Sequence, residues 1–205
     1  MSKRVSGLYA VTPELNDSVA LLAKVDAALR GGAHVVQYRS KSVRDSLRRS
    51  QARELAHLCL KHNALFVVND SIDLARDVDA DGVHLGKDDG NVSAARAELG
   101  AGKLIGVSCY NDMARARNAA RQGADYVAFG SFFPSSTKPL ALRADPELLR
   151  IAVAEIGLPV VAIGGINEDN AASLISAGAS AIAVLSALFD AADVEGQARR
   201  LARLF

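Results

Sequence analysis

The chain has 205 residues, half of them hydrophobic and 23% charged, with a formal net charge of +1. That length is enough to bury one sizeable core, and interspersed charges on an apolar composition exclude a disordered chain and a basic nucleic-acid-binding face. No apolar run approaches the roughly 18 residues a membrane span needs, and the opening MSKRVSGLYAVTPE lacks the apolar core and cleavage site of a secretory leader, so the cytoplasm is the expected compartment.

Eight short apolar runs read as strands: GLYAVT (7–12), HVVQYR (34–39), ALFVVN (64–69), DGVHLG (81–86), LIGVSC (104–109), YVAFGS (126–131), PVVAIGG (159–165) and AIAVLS (181–186). Most are β-branched or leucine-rich without polar alternation, the pattern of parallel strands covered on both faces. Helical patterns lie between them. Ser42 three residues before Asp45 reads as a capping box, and Asp145-Pro146-Glu147 as a capping acid followed by proline at the first helical position. Asn167 with Glu168 and Asp169 opens a further helix with acids at its positive end. Gly32-Ala33, Gly123-Ala124 and Gly178-Ala179 each close a helix just before a strand. Eight β-then-α units without a composition break predict a single (β/α)8 barrel over residues 1–205, with eight parallel strands; an open doubly wound sheet is the alternative. Cys59 and Cys109 have no metal-ligand spacing and read as small apolar fillers.

In such barrels the chemistry sits in the loops after the strands. In extended geometry Gln37, Arg39 and Lys41 share one face and Val36 and Tyr38 the other. A strand face ending in two cations meets either water or an anion. Arg39, Lys41 and Lys138 beside Asp70 and Asp89 suit a Mg²⁺-bound diphosphate, since Mg²⁺ takes one or two carboxylates plus phosphate oxygens. Gly164-Gly165 and the backbone after strand eight fall where barrels commonly hold phosphate. Each residue has a plain reading too. Arg39 and Lys41 would serve as partners for rim carboxylates, Asp70 as the N-cap of a helix over 71–77, and Asp88 and Asp89 as turn residues. What favours a site is that all of them fall on one rim. Phe132 and Phe133 read as core or as a wall for an aromatic substrate, their place after strand six favouring the wall, and His84 as a packed or hydrogen-bonded strand residue.

The stretches QYRSK (37–41), VND (68–70), DGVHLGKDD (81–89), GVS (106–108), FGSFFPSSTK (129–138), IGGI (163–166) and VLSAL (184–188) resemble, in order and spacing, the thiamine phosphate synthase (thiamine-phosphate pyrophosphorylase) family. The resemblance implies a Mg²⁺-dependent transferase that joins a hydroxymethylpyrimidine diphosphate to a thiazole phosphate and releases pyrophosphate. It implies substrate contacts from Gln37, Tyr38, Arg39, Ser40, Lys41, Asn69 and Ser108, and Mg²⁺ ligation by Asp70 and Asp89. It further implies that Ser135, Ser136 and Thr137 meet the thiazole, that Lys138 reaches the diphosphate, and that Gly165, Leu185 and Ser186 cradle the thiazole phosphate. Arg39, Lys41 and Lys138 are the expected catalytic residues. Ser40 replaces a common Glu, and Lys87-Asp88 a common Gln-Glu pair. The expected partners are the two small-molecule substrates, with no nucleic acid and no membrane; a homo-oligomer is left open. Two rivals share the fold: a phosphosugar isomerase or aldolase, which adds an acid/base pair or a Schiff-base lysine, and a thiazole tautomerase or regulatory relative without the full cationic set.

Overall fold

The computed structural model describes residues 4–41, 43–134 and 143–205. Among these, strand and helix alternate: β1 (Gly7–Val11), α1 (Ser18–Arg30), β2 (Ala33–Tyr38), α2 (Asp45–Lys61), β3 (Leu65–Asn69), α3 (Ile72–Asp77), β4 (Gly82–Leu85) and α4 (Val92–Leu99). The second half continues with β5 (Leu104–Tyr110), α5 (Met113–Arg121), β6 (Tyr126–Phe129), α6 (Pro146–Ile156), β7 (Val160–Ile163), α7 (Glu168–Ser176), β8 (Ala181–Val184), a short α8 (Ser186–Phe189) and α9 (Val194–Ala202). The strands are parallel and close in sequence order, β8 pairing with β1. The expected (β/α)8 barrel is therefore the fold, and the open sheet is excluded.

Local chemistry explains the breaks. Side chains of Asp17, Ser71, Asn91, Asp112, Asp145, Asn167 and Asp193 accept backbone N–H groups at the starts of their helices, each worth about 1 kcal/mol. Helix α2 departs from expectation. It begins at Asp45 after Arg44, which makes no side-chain cap, so Asp45 opens the helix instead of closing a capping box; Ser42 lies outside the described residues. Gly32, Gly123 and Gly178 all have positive φ, as the helix-to-strand turns require. Cys59 and Cys109 are buried.

Two apolar layers result. Outward-facing strand residues such as Val36, Phe66 and Ile105 pack beneath the helices, while Tyr9, Val11, Val35, Leu65 and Val67 fill the barrel interior. Across β4, β5 and β6, His84, Gly106 and Tyr126 stand at one level. A Cβ on Gly106 would overlap the Tyr126 ring. The absence of a side chain there lets the phenol cross the barrel interior. Ala181 and Ala183 on β8 leave comparable room beside Tyr9, which pairs with Ala183 in register. Among the described residues no helix is long and apolar enough to cross a membrane.

Candidate active site

Above this interior layer, at the C-terminal ends of the strands, opens a cavity of ≈ 860 Å³, within the range of small-molecule sites. Strand β2 places Gln37 in its wall and Arg39 just beyond its end, β3 Asn69 and β5 Ser108. Gly164, Gly165, Leu185 and Ser186 line the opposite side. Gly165 has φ +64, and a Cβ there would overlap the Pro134 carbonyl, so only glycine carries the chain past that loop.

Extended geometry stops at Tyr38, short of Lys41. Beyond it the Arg39 N–H donates to Thr12 Oγ1 at 3.0 Å. The Arg39 guanidinium pairs with Glu14 Oε1 at 3.2 Å, and the same oxygen accepts the Lys41 N–H at 3.0 Å. Lys41 Nζ lies 3.5 Å from Asp70 Oδ2. Both cations thus have rim carboxylate partners, and Lys41 is drawn to the acidic pair instead of lying flat along β2.

Asp70 is not a helix cap. The Ser71 side chain caps α3, while Asp70 adopts φ +65 and its N–H donates to the His84 carbonyl at 2.9 Å. Its carboxyl is held above the usual range by burial first, then by the hydrogen bond and charge of Asp89, with Lys41 opposing. Asp89 in turn accepts the Gly86 N–H at 3.0 Å through Oδ2. Two hard carboxylates forced together in a half-buried corner fit a divalent cation, which would relieve their repulsion. Among the described residues no cluster of three or more His, Cys, Asp or Glu is placed to hold a metal. A pair of carboxylates completed by substrate oxygens and water is the Mg²⁺ pattern, not the zinc one.

Arg115 braces the rim from below. Its Nε donates to the Ser108 carbonyl at 2.6 Å and its Nη2 to the Gly86 carbonyl at 2.7 Å, fixing the ends of β4 and β5 to each other.

Tyr38 and Ser40 are not among the residues that line the cavity. Tyr38 faces the helices, donating to Gln51 Oε1 of α2 at 2.7 Å, and the Ser40 hydroxyl lies beside the Tyr38 phenol. Of the two readings of Phe132 and Phe133 the structure favours core: Phe132 is buried in the outer core and Phe133 packs against it. Ser135, Ser136, Thr137 and Lys138 lie outside the described residues.

The sequence reading missed Glu14, Tyr9 and Tyr126 and gave Lys87 no role in the site; Lys87, Tyr9 and Tyr126 line the cavity. His84, on β4, also lines it, and its ring is hydrogen-bonded to side chains of the neighbouring strands. Burial pushes its pKa down to about 4, so the imidazole is neutral at neutral pH. Four contacts run across the cavity floor. Gln37 Nε2 donates to Tyr9 Oη at 2.8 Å, Tyr9 Oη meets Tyr126 Oη at 2.9 Å, Tyr126 Oη meets His84 Nδ1 at 3.0 Å, and His84 Nε2 meets Ser108 Oγ at 2.9 Å.

A family-wide sequence model described as thiamine monophosphate synthase matches residues 8–188. The thiamine-phosphate synthase of Thiobacillus denitrificans is 56% identical over 199 residues, spanning 97% of this chain and 94% of that one. That of Methylobacillus flagellatus is 54% identical over 201 residues, spanning 98% and 96%. Among solved structures, a thiamine phosphate pyrophosphorylase from Pyrococcus furiosus superposes with a TM-score of 0.87 at 37% identity, covering 97% of this chain and 94% of that one. With the rim carboxylates, cations and glycine cradle in place on a closed barrel, these matches over nearly the full length make the chain an enzyme of the thiamine monophosphate synthase family.

Proposed function

We propose that this enzyme is a cytoplasmic thiamine phosphate synthase. It joins 4-amino-2-methyl-5-(diphosphooxymethyl)pyrimidine to a thiazole phosphate, releasing pyrophosphate. The observation that carries the reading is the convergence of Arg39, Lys41, Asp70 and Asp89 beside one large cavity, with a glycine cradle on its far side. Gln37, Asn69 and Ser108 seat the pyrimidine. Gly165, Leu185 and Ser186 hold the thiazole phosphate, and Lys138 meets the leaving diphosphate. Asp70 and Asp89 would hold Mg²⁺, which when bound neutralises charge developing on the diphosphate.

The bond from the pyrimidine methylene to the diphosphate oxygen breaks, its electron pair leaving with pyrophosphate. The thiazole nitrogen then forms the new C–N bond with its lone pair. No proton is lost from that nitrogen, so no general base is needed and His84 has no proton to take in the reaction. Arg39, Lys41 and Lys138 stabilise the departing charge. Delocalisation into the pyrimidine supports ionisation before attack. Electron-withdrawing substituents on the ring are therefore expected to slow the chemical step in single-turnover experiments; insensitivity to them would favour direct displacement.

The activity itself is tested by pyrophosphate release from the purified chain. Release is expected only with both substrates and Mg²⁺, in step with thiamine phosphate, and is abolished by EDTA. A folded, Mg²⁺-supplied sample that turns nothing over would reject the synthase reading.

A further inference from the structure

We propose that Tyr9 and Tyr126 are positioning residues that lock the hydrogen-bonding polarity of Gln37 and Ser108, so that the cavity floor presents an acceptor at Gln37 and a donor at Ser108 together. The role of this pair in selecting a ligand rests on the synthase reading above; the polarity itself does not.

The direction follows from atom types. The Gln37 nitrogen facing Tyr9 can only donate, so Tyr9 Oη accepts. Both tyrosines are fully buried, and a buried hydroxyl proton is paired wherever a partner is in reach. Among the described residues the Tyr9 proton has Tyr126 Oη as its remaining hydrogen-bond partner, and the Tyr126 proton then has His84 Nδ1. A neutral imidazole that accepts at Nδ1 carries its proton on Nε2, which donates to Ser108 Oγ. The Ser108 proton is thereby turned toward the cavity, and the Gln37 oxygen is left as that amide's acceptor. Turning the Gln37 amide over would reverse all four bonds at once. The two walls of the cavity therefore cannot change character separately.

A 4-aminopyrimidine carries a donor, its amino group, next to an acceptor, ring N3. Its 4-oxo counterpart carries the reverse order, an acceptor oxygen next to N3–H. A floor of locked polarity matches one of these patterns and leaves buried groups unpaired against the other. Tyr9 and Tyr126 would thus contribute to specificity without touching the ligand's reacting atoms.

The His84 tautomer reports the polarity directly. In ¹⁵N-histidine NMR of the ligand-free protein, with the resonance assigned by its loss in His84→Asn, the Nε2–H tautomer is expected. Gln37→Glu replaces the donor by a carboxylate that accepts from Tyr9, and the tautomer is expected to switch to Nδ1–H. Adding Tyr126→Phe should abolish that switch. An Nδ1–H tautomer in the unmodified protein overturns the assigned polarity even if the variants fail to fold; a tautomer indifferent to Gln37→Glu in a folded protein overturns the coupling. In kcat/KM, Tyr126→Phe is expected to narrow discrimination between the amino- and oxopyrimidine diphosphates at least about tenfold; undiminished discrimination would remove the tyrosines from specificity. Failure of the chain to release pyrophosphate would sink the synthase reading and leave the tautomer result standing.

Discussion

Lys138→Ala is expected to lower the rate of pyrophosphate release by roughly 10²–10³, the usual cost of losing one preorganised group aimed at developing charge. The reason lies in how the other two cations are held. Arg39 is paired with Glu14 and Lys41 with Asp70, so part of their charge is already balanced before substrate arrives. A leaving pyrophosphate gains charge as the methylene bond breaks, and it needs a cation whose interaction strengthens at that moment. Lys138 is the candidate in the proposed mechanism. Its loss should fall on the single-turnover rate more than on KM, and a near-normal rate would remove it from the mechanism.

Asp89→Asn carries the other large expectation. The substitution keeps an oxygen able to accept the Gly86 N–H, so the loop should retain its shape while the charge is lost. Loss of groups that merely orient a metal ligand costs about 10–100-fold; loss of a ligand should exceed that at limiting Mg²⁺, with partial recovery as Mg²⁺ is raised. Pyrophosphate release followed across a Mg²⁺ titration measures both. A variant with an unchanged Mg²⁺ requirement would mean that Asp89 is a turn residue and no ligand.

The eight strands were legible in the sequence because strands buried on both faces must be apolar throughout, and the rim positions followed from barrel architecture. What the chain alone concealed was pairing across distance. The carboxylate that pairs with Arg39 could not be named because Glu14 belongs to the loop after β1. Asp70 had two readings, metal ligand or helix cap, and only the folded backbone shows Ser71 taking the cap and leaving Asp70 to face Asp89. Tyr38 was legible as outward-facing from strand alternation, yet the family motif carried it into the site with its neighbours. Tyr9 and Tyr126 gave no signal beyond an aromatic in a strand. Their meaning depends on Gly106 standing level with Tyr126, and register is not written in local composition.

The same Gly106 has a bearing on attempts to adapt this barrel to bulkier or differently substituted rings. Enlarging the cavity floor by trimming Tyr126, or filling it by adding a side chain at Gly106, acts on a single shared volume. That volume also houses the middle link of the Gln37-to-Ser108 chain. Shape and donor–acceptor preference would therefore be inherited together in any engineered variant. Libraries that vary pocket size at these two positions should be screened against ligands of both hydrogen-bonding patterns.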